Sequence, residues 1–70
     1  MTSSEALGDL ARRTLIEVVG DDPGRSPRQT VAAVVRREPS LPPEIVRREA
    51  WSLIGQGKIE LSADGRFRLH

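Results

Sequence analysis

The last sixteen residues, GQGKIELSADGRFRLH, admit one economical backbone. Ile59 and Leu61 alternate with Glu60 and Ser62, and Phe67 and Leu69 alternate with Arg66 and Arg68. Strand side chains alternate between faces, so the four apolar residues share a face only if Leu61 opposes Phe67 and Ile59 opposes Leu69. That register leaves Ala63-Asp64-Gly65 as the loop. Three-residue hairpin loops favour a left-handed residue at their third position, and glycine stands there. A two-residue Asp64-Gly65 turn would instead pair Leu61 with Arg68 and put the apolar residues out of phase. The pattern predicts a hairpin over 58–69 that lids a core with Ile59, Leu61, Phe67 and Leu69. Glu60 then lies opposite Arg68, a pairing worth a few tenths to about 1 kcal/mol. Arg66, beside the tip and opposite Ser62, is left as the freer cation.

An isolated hairpin is marginal in water, so the remaining residues must supply what it packs on. Three helices are predicted. Thr2-Ser3-Ser4-Glu5 fits a capping box. Ala6, Leu7, Leu10, Ala11, Leu15, Val18 and Val19 follow at helical spacing, giving a first helix over about 3–19 stopped by Gly20. Ser26-Pro27-Arg28-Gln29 supplies a serine cap, a proline at the first helical position and a glutamine three residues after the cap. It opens a second helix over 27–37 with Val31, Val34 and Val35 on its apolar face. The residue before Pro39 is disfavoured in the helical region and ends it. Pro39-Ser40-Leu41-Pro42-Pro43 is a turn. Pro43 opens a third helix over 43–56, with Val46, Ala50, Leu53 and Ile54 inward and Glu44, Arg47, Arg48, Ser52 and Gly55 outward. Trp51 lies at the border, and Gly57 suits a left-handed helix cap.

This ordered set resembles the winged helix-turn-helix family of small bacterial regulators. It is carried by SPRQTVAAVV, LPPEIVRREAWSLIGQGKIEL and DGRFRL, and by the Leu53, Gly57, Ile59, Leu61 spacing. The expected fold is a single α+β domain over 1–70, three helices followed by a two-stranded wing. In DNA-binding members the third helix enters the major groove and the wing contacts phosphates or the minor groove. The resemblance implies that Arg47, Arg48 and Ser52 face the groove, that Arg28 touches the backbone, and that Lys58 and Arg66 anchor the wing. Duplex DNA is then the expected partner and transcriptional regulation the expected role.

Composition narrows the field. Seventy residues make one domain, and the formal net charge is only +1. The charge is uneven, with three basic and five acidic side chains in 1–26 but eight and five in 27–70. The third helix carries two arginines and two glutamates (Glu44 and Glu49), which favours the alternative, a winged-helix protein–protein interaction module without DNA binding. Ile16, pointing away from the main stripe, and Trp51 are its candidate contacts, with a homodimer or a protein partner. Arg12, Arg13, Arg36 and Arg37 read as solvated, and Asp21-Asp22 as a turn. Catalysis is not expected: there is no cysteine, the single histidine is terminal, and Gly20–Gly24 lacks the lysine and hydroxyl of a phosphate-binding loop. No metal, cofactor or small-molecule substrate is expected either. No apolar run approaches the roughly 20 residues needed to span a bilayer, and the N-terminus does not read as a signal peptide. A cytoplasmic location is expected.

Overall fold

The computed structural model describes residues 3–70, with side chains from residue 5 onward. Thr2, read above as a helix cap, lies outside the described residues. The element order is α1 (Ser3–Asp21), α2 (Pro27–Arg37), α3 (Pro43–Gly55), β1 (Ile59–Leu61) and β2 (Phe67–Leu69). Three helices thus precede a two-stranded antiparallel hairpin, the α+β layout expected of a winged helix.

Local chemistry accounts for most boundaries. At the start of α2 the Gln29 N–H donates to Ser26 Oγ at 3.2 Å, and the Ser26 N–H donates to Gln29 Oε1 at 3.1 Å, a complete capping box. The end of α3 forms a Schellman motif. Lys58 N–H donates to the Leu53 carbonyl and Gly57 N–H to the Ile54 carbonyl, both at 3.0 Å. Gly57 takes a φ of +78°, the left-handed conformation such a cap needs. α3 itself ends at Gly55, one residue before the expected limit, because Gln56 serves as the cap.

α1 differs from expectation at its C-terminus. Gly20 does not stop it, and the helix continues to Asp21. Pro23 sets the limit, since a residue before proline is disfavoured in the helical region and Asp22 occupies that place. Gly20 lies under the hairpin instead. A Cβ there would lie 3.2 Å from Leu69 Cδ1, a tight contact that a small shift of the half-exposed leucine would relieve.

The hairpin has the predicted register: Ile59 opposite Leu69, Glu60 opposite Arg68, Leu61 opposite Phe67. Gly65 takes φ +79°, and Ser62 N–H donates to the Arg66 carbonyl at 2.9 Å, closing the three-residue loop. Only half of the expected apolar face is covered, however. Ile59 and Phe67 are 1% exposed, whereas Leu61 and Leu69 are 38% and 42% exposed. The face is as predicted, but the helices beneath reach only this diagonal pair.

Phe67 joins three parts of the chain. Ser62 and Arg66 share a ladder bond, so the polar backbone groups of Phe67 point away from β1. They are taken up by the turn before α2: Phe67 N–H donates to the Arg25 carbonyl at 2.7 Å, and Gly24 N–H donates to the Phe67 carbonyl at 2.8 Å. The ring lies inside the core with Ala11, Leu15, Val18 and Val19 of α1, Val34 of α2, and Val46, Ala50 and Leu53 of α3. Leu41 also belongs to this core, 1% exposed, although its proline-rich surroundings read as a plain turn. Buried Thr14 and Thr30 satisfy their hydroxyls on the carbonyls one helical turn back, those of Leu10 and Ser26. Ala6, expected on the apolar stripe of α1, is exposed.

Replacing Phe67 with alanine is expected to cost about 3–5 kcal/mol, the usual range for a buried aromatic ring. In a domain this small that leaves little or no folded protein. Circular dichroism of Phe67→Ala should show loss of the cooperative thermal transition; a transition within a few degrees of the parent would contradict the assignment.

Candidate nucleic-acid interface

α3 presents Glu44, Arg47, Arg48, Trp51 and Ser52 to solvent. The Arg47 side chain makes no hydrogen bond or ion pair with any described residue. Arg48 Nε stands 3.7 Å from Glu49 Oε2, a loose contact that leaves most of its donors available. Ser52 Oγ accepts from Gln56 Nε2 at 3.3 Å. Trp51 lies at the border of the helix, as its spacing implies. Its ring meets Phe67 edge-on, with centroids 6.4 Å apart and planes at 80°, yet the residue is 53% exposed. The indole therefore braces the hairpin on one edge and belongs to the outer surface of α3 on the other.

Glu49 does not share that surface. It is 8% exposed and turned towards α1, where its Oε1 accepts from Arg12 Nη1 at 2.6 Å. Gly8, one turn before Arg12, lies against the Glu49 carboxylate: a Cβ there would sit 3.6 Å from Glu49 Oε2, an ordinary van der Waals contact. Arg12 also pairs with Asp9 on its own helix. The Glu49 hydrogen bond, reinforced by the charges of Glu49 and Asp9, raises the Arg12 guanidinium above its ordinary pKa against the cost of desolvation. Arg12 is thus an interhelical tie rather than a solvated residue. Arg37 likewise reaches from α2 to α1, with Asp21 at 3.1 Å and Glu17 at 3.6 Å.

The wing arginines are both held, which corrects the view of Arg66 as the freer of the two. Arg68 Nε donates to Glu60 Oε2 at 3.0 Å, as the register requires. Arg66 Nη1 donates to the Gly24 carbonyl at 2.6 Å, and its Nε lies 3.4 Å from Asp64 Oδ2. Asp64 is kept below its ordinary pKa first by the Ser62 hydroxyl, with further help from the loop backbone and the charges of Arg66 and Arg68. Arg66 remains largely exposed, so its anchoring fixes the guanidinium without hiding it.

The remaining candidates are spread over the surface. Arg28 is exposed on the first turn of α2. Lys58 lines a depression with Arg13, Ile16 and Leu53, beside α1 and at the base of the hairpin. Arg66 lines a different groove with Arg25 and Arg36. The structure therefore unites Arg47, Arg48, Trp51 and Ser52 on one helix face and separates Lys58 from Arg66. The withdrawal of Glu49 had a signal in its spacing, three residues after Val46 and four before Leu53. The partnership with Arg12 had none. Among the described residues no cluster of three or more His, Cys, Asp or Glu side chains could hold a metal, and no helix is long and apolar enough to cross a membrane. Compared with known proteins, the chain matches no family model, no curated protein and no solved structure.

Arg12 and Arg13 are adjacent in sequence and differ in their surroundings, which gives a direct check. Arg12→Ala strands a nearly buried carboxylate and should lower the urea midpoint clearly, whereas Arg13→Ala should stay within about 0.5 kcal/mol of the parent, as exposed substitutions do. Equal effects in paired urea titrations would contradict the tie between α1 and α3.

Proposed function

We propose that this chain is a small winged-helix DNA-binding domain, of the kind used in transcriptional regulation, with α3 as its reading helix. The observation that carries the reading is the inward turn of Glu49. Of the four charged residues on α3, Glu49 is drawn inward by Arg12 and keeps only a loose 3.7 Å contact with Arg48, so the outer face presents two arginines and, of the acidic residues, Glu44. Arginine can bond the guanine edge through two N–H groups, and Ser52 suits either a base edge or a phosphate. Arg28, on the first turn of α2, and Arg66, on the hairpin, add backbone contacts in this reading. A cytoplasmic location goes with this reading.

The exposed indole of Trp51 and the half-exposed Ile16 favour a second reading, a winged-helix module that binds a protein or a second copy of itself. Salt dependence separates the two. If Arg28, Arg47, Arg48 and Arg66 each neutralise one phosphate, the logarithm of the binding constant falls against the logarithm of salt with a slope of about −3.6. Arg47→Ala or Arg48→Ala should reduce the slope by about 0.9 where the residue meets a phosphate, or cost about 1–3 kcal/mol on the preferred sequence where it meets a base. Fluorescence anisotropy of a labelled duplex measures both, and Trp51, the only tryptophan, gives an intrinsic signal. Folded protein that fails to bind any duplex at low salt would leave the interaction-module reading standing.

A further inference from the structure

A second basic feature lies away from the outer face of α3. The turn before α2, the exposed side of α2 and the base of the hairpin tip enclose an open groove of about 600 Å³. Arg25, Arg36 and Arg66 line it from these three elements, with Gln29 between them and Asp22 at the edge. Ala32 and Ala33 form part of its wall, and their short side chains leave the volume free.

We infer that this groove is a phosphate-binding site. Three guanidiniums face one carboxylate, so the lining carries a net positive charge. Two of the three are already fixed. Arg25 Nη1 donates to the Val18 carbonyl at 3.4 Å, and its Nη2 lies 3.3 Å from Asp22 Oδ2. Arg66 is tied to the Gly24 carbonyl and to Asp64. Each guanidinium has five N–H donors, so these bonds position the group and leave other donors for a ligand. The Arg36 side chain has no hydrogen bond or ion pair with a described residue and is the free cation of the set. Planar forks held in place suit the oxygens of a phosphate, because little order remains to be gained on binding. The groove has the volume of a small-ligand site but a polar lining. It offers no apolar socket for a peptide side chain, and the backbone edge of Phe67 beside it is already bonded to Gly24 and Arg25.

The phosphate has two sources, a small phosphorylated ligand or the backbone of bound DNA. Neither requires α3; Arg66 is shared with the reading given above, and the DNA source alone rests on that reading. The test is a titration of the ¹⁵N-labelled chain with inorganic pyrophosphate at constant ionic strength, followed by amide shifts. Saturable shifts should centre on Gly24, Arg25, Gln29, Ala32 and Arg66. Arg36→Ala should weaken binding roughly tenfold or more, the value of one charge-assisted hydrogen bond. Arg36→Lys, which keeps the charge and loses the fork, should fall between. The double variant Arg47→Ala/Arg48→Ala should bind pyrophosphate as the parent does, which separates this site from the α3 surface. A labelled duplex then identifies the source: Arg36→Ala weakens duplex binding if the phosphate is that of DNA and leaves it unchanged if the ligand is small. Shifts scattered over all basic residues, no saturation, or an Arg36→Ala variant that binds pyrophosphate normally would overturn the proposal.

Discussion

The fold depends on how Phe67 is held. Its ring fills the centre of the core, while its two polar backbone groups bond to the turn between α1 and α2. A strand of three residues has few ladder bonds of its own. Taking both groups of Phe67 out of water on the far side from β1 removes an exposed edge and fixes the hairpin against the helices. The same contact places the hairpin tip beside Gly24, where Arg66 finds its carbonyl partner. Trp51 meets the Phe67 ring edge-on, so α3 is in contact with this residue as well.

The chemistry of the surface follows from a second contact, between Arg12 and Glu49. Burying a carboxylate is costly unless it is paired and hydrogen-bonded. Here the pair joins α1 to α3 and alters what α3 displays. A helix whose composition is balanced acquires an outer face with an excess of arginine, because one glutamate is spent inside the molecule. Net charge over the whole chain, close to zero, conceals this local arrangement.

The features legible in the sequence are those that local rules control. The hairpin register followed from a period of two and a glycine at the third loop position. The α2 boundaries followed from a capping box and a proline, and Gly57 from its place after α3. What was not legible depends on chain segments far apart. Arg12 and Glu49 are 37 residues apart, and Arg66 and Gly24 are 42 apart. Leu41 looks like part of a turn because prolines surround it, yet the turn folds its side chain into the core. Gly20 looks like a helix stop, but the helix runs through it and Leu69 of the hairpin lies against it. Leu61 and Leu69 lie on the predicted face, and only the extent of the helices beneath decides that they stay half exposed. At the candidate interface, Arg47, Arg48 and Ser52 were placed by helical spacing alone. The anchoring of Arg66 and the separation of Lys58 from it required the tertiary structure.

The central claim is that the outer face of α3 meets DNA. It is tested most directly by mapping amide and indole shifts of the ¹⁵N-labelled protein on addition of a short duplex at low salt. The account predicts that the largest changes fall at Arg47, Arg48 and Ser52 and at the indole N–H of Trp51, with smaller ones at Glu49 and along α1. Changes centred on Ile16 and the exposed side of α1, with α3 unmoved, would contradict it.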